Sequence, residues 1–264
     1  MPYRIDVRHA SDHAFDRLVE LGALDAERSH DGGIAALMPD GVAPEQVAAV
    51  LDGDDISVSP AAGRDADSVW VLSRRAIHIG RLRIVPAHAM TEPGALRLVD
   101  AAAFGTGLHP TTVLCLQALE EAVQIGTPEA MLDVGTGSGV LALAALMLGV
   151  PRARAVDIDD EALRVAGENA RINGVGERLQ LTHGGPDTLT GTWPLVLANV
   201  LAAPLIEMAP ALVRCVGHRG ELVLSGIASS LEADVERAYR RCGMRRLRVR
   251  SRAGWVALVL QASW

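Results

Sequence analysis

The sequence predicts an α/β protein, with a Rossmann-like, mostly parallel sheet whose last strand is antiparallel and a small N-terminal α+β domain of ferredoxin-like type. Two observations support this prediction. From residue 131 onward, short apolar runs alternate with helical segments, and the first apolar run ends in a glycine-rich turn, residues 135–139. Before residue 60, by contrast, the strand and helix signals follow the order βαββαβ.

The N-terminal signals are short and closely spaced. A strand is predicted at Tyr3–Val7, and Ser11 is expected to cap a helix that ends before residue 22. Residues 30–33 are expected to form a hairpin turn. Pro44 suits the first turn of a second helix, and a last strand is predicted at Ile56–Ser59.

Three segments follow from these signals. Residues 1–60 carry no candidate catalytic group, so we expect them to form a docking domain for the substrate. Residues 61–95 read as a linker with short strands, and residues 96–264 as the catalytic domain.

Strands and helices alternate regularly after residue 131 and end in a β-hairpin. This order favours a parallel sheet finished by one antiparallel strand. The predicted strands are 131–134, 153–156, 178–182, 195–198, 221–224, 246–250 and 255–260, and the predicted helices are 140–149, 161–172, 204–214 and 231–241.

The glycine turn decides which ligand is expected. The dinucleotide fingerprint requires a third small residue where Val140 stands, so that fingerprint fails. The pattern present is Asp133-x-Gly135-x-Gly137-x-Gly139. We expect the Asp133 charge at the mouth of the turn, where it repels a pyrophosphate and attracts a sulfonium and an amino group. This pattern is typical of S-adenosylmethionine-dependent methyltransferases, and the alternative is a purely structural turn.

An acidic residue follows the second strand of this unit. Asp157 lies eighteen residues after Gly139, at the carboxyl end of that strand, where a carboxylate accepts hydrogen bonds from ribose hydroxyls. Its neighbour Ile158 is expected to pack on the adenine. Gly135 and Gly137 are expected to let the backbone approach the same cofactor.

Composition excludes several classes of function. The net charge of -7 argues against non-specific nucleic-acid binding. The sequence contains no lysine, which excludes the phosphate-binding GK[ST] loop and Schiff-base chemistry. The 3 cysteines form no C-x-x-C pair and the 8 histidines form no H-E-x-x-H, so we expect reduced thiols and no metal. Neither a signal peptide nor a membrane span is recognised, and we expect a cytoplasmic monomer.

Four blocks of sequence share a resemblance. They are AFGTGLHPTT at 103–112, LDVGTGSGVLALAA at 132–145 with VDID at 156–159, ANVLAAPL at 198–205 and LSGI at 224–227. Together they resemble the PrmA family, the bacterial methyltransferases of large-subunit ribosomal protein L11. The resemblance implies a class I S-adenosylmethionine methyltransferase sheet.

The resemblance also implies a site and a substrate. In the family, the cofactor is held at the positions of Thr112, Gly135, Asp157 and Asn199. Its enzymes methylate lysine side-chain amines and the terminal α-amino group of ribosomal protein L11, which they recognise through the N-terminal domain. Two alternatives stay open: a methyltransferase acting on another protein lysine or a small-molecule amine, and a non-catalytic cofactor-binding assembly factor. The intact block around Asn199 speaks against the second.

Methylation requires a neutral amine, and deprotonating a lysine at neutral pH costs roughly 4 to 5 kcal/mol. Asn199, at the carboxyl end of a strand, is therefore expected to orient the amine as the catalytic residue, although an asparagine can also simply close a strand. Thr112 is a predicted cofactor contact at a helix start. Phe104 is expected to cover the methionine or adenine face, with an ordinary core role as the alternative. For His109 we favour a structural role over that of proton acceptor.

The C-terminal region is rich in arginine. Arginine occupies the even-numbered positions from 246 to 252, a spacing that suggests one face of a strand. The favoured interpretation is a charged edge strand that discourages sheet-to-sheet aggregation. A weak RNA contact is the alternative. The arginines are Arg240, Arg241, Arg245, Arg246, Arg248, Arg250 and Arg252.

Overall fold

The structure is a computed structural model, and it divides the chain into two compact units, Met1–Arg74 and Arg75–Trp264. The second unit therefore begins inside the stretch that the sequence suggested as a linker. The residues that the structure describes are 3–8, 10–11, 13–28, 33–39, 41–51, 55–60, 77–87, 94–99, 109–252 and 254–264.

The N-terminal unit has the predicted element order. Its four strands form an antiparallel sheet in the order β2-β3-β1-β4. The elements are β1 (Tyr3–Arg8), α1 (Ala14–Glu20), β2 (Asp25–Arg28), β3 (Ile34–Met38), α2 (Pro44–Val50) and β4 (Asp55–Pro60).

The two helices of this unit start differently from one another. The N-cap position of α1 is His13 and not Ser11, and the Ser11 carbonyl instead accepts a hydrogen bond from the Ala14 N–H at 3.1 Å. The start of α2 is as predicted, with Pro44 in the first turn, where a missing N–H costs nothing. Most of the predicted turn at residues 30–33 lies outside the described residues.

The second unit begins with a three-stranded sheet, β5-β6-β7, and continues with the alternating elements. The elements are β5 (Ile77–Ile79), β6 (Leu82–Pro86), β7 (Leu96–Leu98), α3 (Pro110–Ile125), β8 (Met131–Val134), α4 (Val140–Met147), β9 (Ala153–Asp157), α5 (Asp160–Ile172), β10 (Leu179–His183), β11 (Trp193–Asn199), α6 (Ala202–Glu207), α7 (Ala209–Arg214), β12 (Val216–Ala228), α8 (Glu232–Arg241), β13 (Met244–Arg252) and β14 (Trp255–Ala262).

The main sheet has seven strands in the order β10-β9-β8-β11-β12-β14-β13. β14 runs antiparallel to both of its neighbours, β12 and β13, and the remaining pairs of this sheet are parallel, so the predicted sheet type is confirmed. The antiparallel strand is inserted between β12 and β13, which leaves β13 at the edge. The chain order reverses between β8 and β11, and the carboxyl ends of parallel strands at such a switch point form a ligand crevice.

Two apolar cores cover the faces of this sheet. One contains residues of α3, α4 and α5, and the other contains residues of α6, α7 and α8. Every residue from Val140 to Leu146 is buried, which explains why α4 is apolar all round. The single helix predicted at 204–214 is divided at Met208, because Pro210 cannot continue a helical hydrogen-bond ladder.

The edge strand β13 contains a β-bulge. Arg246 pairs with Leu260, whereas Arg248 pairs with Val259, and the register shifts between them. Leu260 belongs to the core beside α8, and Val259 to the core beside α3. The prediction that the even-numbered arginines share one face is therefore wrong, because the inserted residue turns Arg246 to the opposite face from Arg248.

In the part of the chain that the structure describes, no helix combines the length and the apolar character that crossing a bilayer requires.

Candidate active site

The glycine loop between β8 and α4 forms the floor of the crevice. Gly135, Gly137 and Gly139 have φ of 69°, 54° and 82°, in the left-handed region that favours glycine. The N–H groups of Gly135 and Thr136 both donate to the carbonyl of Val156, at 2.9 and 3.1 Å. These bonds fix the loop against the end of β9.

Two of these glycines are also required by close neighbours. A Cβ on Gly135 would lie 2.8 Å from Cγ2 of Val200, in the segment after β11. A Cβ on Gly139 would lie 3.0 Å from Cβ of Ala166 on α5. The alternate glycines thus allow both a tight turn and close packing on either side of it.

Asp133 lies beneath the loop rather than at its mouth. Its side chain is fully buried, and Oδ2 accepts hydrogen bonds from the Thr136 hydroxyl at 2.7 Å and from the Ala142 N–H at 3.2 Å. Burial raises the pKa of this carboxyl to about 6. The expected position at the mouth is therefore wrong: the short side chain points into the sheet face beneath α4, where it holds the loop to the start of the helix.

One oxygen of this carboxyl is left over. Asp133 Oδ1 is buried and has no hydrogen-bond partner among the described residues. Buried polar atoms are nearly always paired in native proteins, so an unpaired acceptor next to a crevice indicates a ligand or water partner.

Asp157 lies where the sequence predicts it, at the end of β9. Its Oδ2 accepts the Gly137 N–H at 2.9 Å, and its Oδ1 accepts the Asp159 N–H at 3.1 Å. A carboxylate has about four acceptor positions, so capacity for two ribose hydroxyls remains. The adjacent Ile158 is 76% exposed, which is unusual for so large an apolar side chain and suits a flat apolar ligand surface.

Asn199 ends β11 and faces the same side of the sheet as Asp133. This follows from the register, because Leu197 pairs with Asp133 and side chains two residues apart share a face. Asn199 Nδ2 donates to the hydroxyl of Thr112 at 3.4 Å. Asn199 Oδ1 is buried without a partner among the described residues. Two side-chain acceptors without a partner among the described residues therefore lie on one face, at the carboxyl ends of adjacent strands.

Thr112 is fully buried in the first turn of α3. Its hydroxyl oxygen accepts the hydrogen bond from the Asn199 amide, so the structure brings these two predicted residues together. The geometry makes Thr112 a support for Asn199. Its predicted direct contact with the cofactor stays a prediction.

His109 has a structural role at the start of α3. Its Nδ1 accepts a hydrogen bond from the Thr111 N–H at 3.4 Å and lies 2.8 Å from the Thr111 hydroxyl oxygen. The ring packs edge-on against Trp255, with centroids 5.2 Å apart. Burial lowers the pKa of His109 to about 4, so the imidazole is a poor acceptor for an ammonium proton. The role favoured from the sequence agrees with this geometry.

Phe104 lies outside the described residues, as do all of residues 100–108. Its predicted contact with the cofactor stays a prediction.

The block LSGI at 224–227 supports the segment after Asn199. Gly226 has a φ of 85°, and a Cβ there would lie only 2.2 Å from the Val200 carbonyl oxygen. Val200 N–H donates to the Ser225 carbonyl at 3.1 Å. Only glycine at position 226 allows β12 to lie this close to the backbone of Val200. This explains why the LSGI block accompanies the ANVLAAPL block.

A buried asparagine, Asn169 on α5, was not predicted from the sequence. Its Nδ2 donates to the Ser138 carbonyl in the glycine loop at 2.8 Å, and its Oδ1 accepts the Val99 N–H at 2.7 Å. The sequence does contain a signal for it. Asparagine is a poor helix former, yet Asn169 lies inside an amphipathic helix and Asn173 follows four residues later at its C-cap.

The C-terminal arginines of β13 are largely paired with carboxylates. A hydrogen bond from Arg250 is the main reason that the pKa of the Glu121 carboxyl lies below its usual range. This arrangement agrees with a charged edge strand, and the weak RNA contact stays a prediction. The pairs are Arg246 with Glu232 and Glu236, Arg248 with Glu121 and Glu221, and Arg250 with Glu121.

Within the described residues, no cluster of three or more histidine, cysteine, aspartate or glutamate side chains is arranged to hold a metal ion.

Comparison with known proteins identifies relatives. The family model described as "Ribosomal protein L11 methyltransferase (PrmA)" matches residues 44–263. A ribosomal protein L11 methyltransferase of Pelobacter propionicus is 39% identical over 211 residues, covering 76% of this chain and 68% of the relative. That of Myxococcus xanthus is 38% identical over 223 residues, covering 83% and 76%.

A solved structure agrees with these relatives. The crystal structure of a ribosomal protein L11 methylase from Lactobacillus delbrueckii subsp. bulgaricus is 30% identical, with a TM-score of 0.64. The match covers 70% of this chain and 97% of that chain. With the family model matching most of its length, this chain belongs to the PrmA family of ribosomal protein L11 methyltransferases.

Proposed function

We propose that this chain is an S-adenosylmethionine-dependent protein methyltransferase that methylates lysine side-chain amines and the terminal α-amino group of ribosomal protein L11. The observation that carries the proposal is Oδ1 of Asn199, which is buried without a partner in the described part of the chain, at the carboxyl end of β11 on the same sheet face as Asp133. Membership of the family supports both the reaction and the substrate.

The residues of the crevice fit S-adenosylmethionine. The unpaired Oδ1 of Asp133 suits the amino group of the methionine part, directly or through one water. Asp157 has acceptor capacity for the ribose hydroxyls, and exposed Ile158 offers an apolar surface for adenine. The left-handed backbone at Gly135 and Gly137 is of the kind that lets a loop approach a ligand closely. When bound, the cofactor supplies an electrophilic methyl group on a positively charged sulfur.

We assign to Asn199 the role of orienting the incoming amine. Asn199 Oδ1 would accept one N–H of the neutral amine and so orient its nitrogen lone pair for methyl transfer. Thr112 fixes the amide by accepting its Nδ2–H, so that Oδ1 faces the crevice. Bound S-adenosylmethionine would supply the methyl group to that amine and would be released as S-adenosylhomocysteine, and the methylated ammonium ion would lose its extra proton to water. His109 takes no part in this proton transfer, because it is largely buried and committed to Thr111.

We assign recognition of the protein substrate to the N-terminal domain, residues 1–60, as the family resemblance implies. No candidate catalytic side chain lies in that segment. We further expect the enzyme to act as a cytoplasmic monomer, which light scattering at working concentration and cell fractionation test separately.

Intact-mass spectrometry tests the proposal. Unmethylated recombinant ribosomal protein L11 is incubated with this protein and S-adenosylmethionine, and mass increments of whole methylene units are expected. The chain itself has no lysine, so lysine methylation can be followed without a background from the enzyme. The matched control is the Asn199→Ala variant, which should bind cofactor and give far smaller increments at equal times.

The alternatives give different results. Methylation of another lysine-bearing protein or a small amine, with none on ribosomal protein L11, would contradict the substrate. Cofactor binding without methyl transfer to any amine would favour a non-catalytic assembly factor.

A further inference from the structure

Asn169 joins the glycine loop to Val99, the residue that follows β7 and precedes the HPTT block in the chain. Its fully buried amide donates to the Ser138 carbonyl, between Gly137 and Gly139, and accepts the N–H of Val99. Both side-chain atoms are thus used, each by the backbone of a different segment. Val99 is the last described residue before the segment that leads to the HPTT block.

Asn173, four residues later and at the C-cap of α5, makes a different set of contacts. Its Oδ1 accepts the Arg97 N–H at 2.8 Å, and its Nδ2 donates to the Arg97 carbonyl at 2.6 Å. The amide therefore pairs with one residue of β7 as a neighbouring strand would. Residues four apart lie on the same side of a helix, so Asn173 binds the backbone of β7 and Asn169 binds the backbone of Val99 just after it.

Only Asn169 of these two asparagines bonds to the glycine loop in the described part of the chain. Asn173 bonds to β7 and to the Asn169 carbonyl, at 2.7 Å, whereas Asn169 also bonds to the loop. The loop side of α5 is packed closely as well, because Ala166 would lie 3.0 Å from a Cβ on Gly139. Ala166 and Asn169 are three residues apart and face the same loop.

We propose that Asn169 is a positioning residue for the cofactor site, which fixes the glycine loop relative to the strand leading to the HPTT block. The expected effect on cofactor affinity rests on the proposed function, whereas the coupling between the two segments does not. Asn169 has no assigned contact with cofactor or substrate. Its amide sets the distance between the two segments, so that both are in place before the cofactor arrives.

Asn169→Asp separates the two links of this residue. The carboxylate keeps an acceptor for the Val99 N–H, but it cannot donate to the Ser138 carbonyl and repels it instead. We expect the dissociation constant for S-adenosylhomocysteine, measured by calorimetry, to rise at least tenfold. We also expect faster hydrogen exchange at the amides of Gly137 and Gly139, with little change at Val99.

Asn173→Ala is the matched comparison on the same helix. We expect it to lower the thermal midpoint and to speed exchange at the Arg97 amide, while cofactor affinity stays within about twofold. Equal loss of affinity in both variants would overturn the proposal, because it would indicate general loosening of α5. Wild-type affinity and loop protection in a folded Asn169→Asp variant would overturn it as well.

The wild-type protein provides a test that needs no variant. Saturation with S-adenosylhomocysteine should slow exchange of the Val99 amide together with that of the loop amides, because Asn169 bonds to both segments. An unchanged Val99 amide would contradict the coupling. None of these measurements uses ribosomal protein L11, so failure of the substrate assignment and failure of this inference are separate results.

Discussion

The Thr136 hydroxyl donates a 2.7 Å hydrogen bond to the buried carboxyl of Asp133. The bond joins two residues of one motif, the acid before the first glycine and the residue after it. It shows that the acid of the D-x-G-x-G-x-G pattern shapes the loop from beneath. Only the second oxygen, Oδ1, is available to contact a ligand directly, because it has no partner in the described part of the chain.

The raised pKa of Asp133 predicts a pH dependence of stability. Its pKa in the folded protein is about 6, against an ordinary value of 3.8 for an aspartate, so the folded state binds one extra proton at pH values between these two. The contribution of this carboxyl to the free energy of unfolding is fully present below pH 4. It is lost as the pH rises through 6, by about 3 kcal/mol at most. Compared with Asp133→Asn, the wild type should therefore lose stability from pH 4.5 to 7 in urea unfolding. A constant difference between the two proteins would contradict this assignment.

Gly135→Ala should weaken cofactor binding at least tenfold. The methyl group would stand 2.8 Å from Val200 Cγ2 in a left-handed backbone, so either the loop or the segment at Val200 must shift. Gly149→Ala is the control, because its φ of 104° is also left-handed but no atom lies within 4 Å of the added Cβ. Both variants should lose stability through backbone strain, by about 1 kcal/mol. Only the first should lose affinity in calorimetry, and equal affinities would remove Gly135 from the site.

Asn199→Ala should slow methyl transfer by about a hundredfold, which corresponds to roughly 3 kcal/mol of transition-state stabilisation. Cofactor affinity should change far less, because the amide is assigned to the incoming amine. Thr112→Val should slow the reaction by about tenfold or less, since it frees the amide without removing it. Single-turnover rates at saturating cofactor distinguish the two. A Thr112→Val rate below that of Asn199→Ala would reverse the assigned roles.

The order of elements could be predicted from the sequence because apolar periodicity and glycine turns are local signals. The seven-stranded sheet and the place of Asp157 follow from them directly. The division of the predicted helix at Met208 follows from Pro210, which the sequence also contains. The β13 bulge does not, because a shift of register depends on how β14 pairs with it.

The side-chain roles were harder to predict, since they depend on partners distant in sequence. Asp133 was expected at the mouth of the turn, because sequence gives a position on a strand but not the direction in which a short side chain finds donors. Asn169 was missed for the same reason, because its partners lie 31 and 70 residues away. Asn199 was predicted because its motif is specific, although its contact with Thr112 spans 87 residues.

Leu201 is predicted to line the path of the substrate amine. It follows Asn199 by two residues and is 64% exposed, so a large apolar side chain faces solvent beside the proposed reaction centre. The methylene chain of a lysine would bury such a surface, at about 25 cal/mol per Å². Leu201→Ser should raise the KM for ribosomal protein L11 roughly fivefold, with cofactor affinity unchanged.

The control is Ile125→Ser, because Ile125 is similarly exposed, at 71%, but ends α3 near the start of β8, away from the crevice. Equal KM values for the two variants would place the substrate elsewhere.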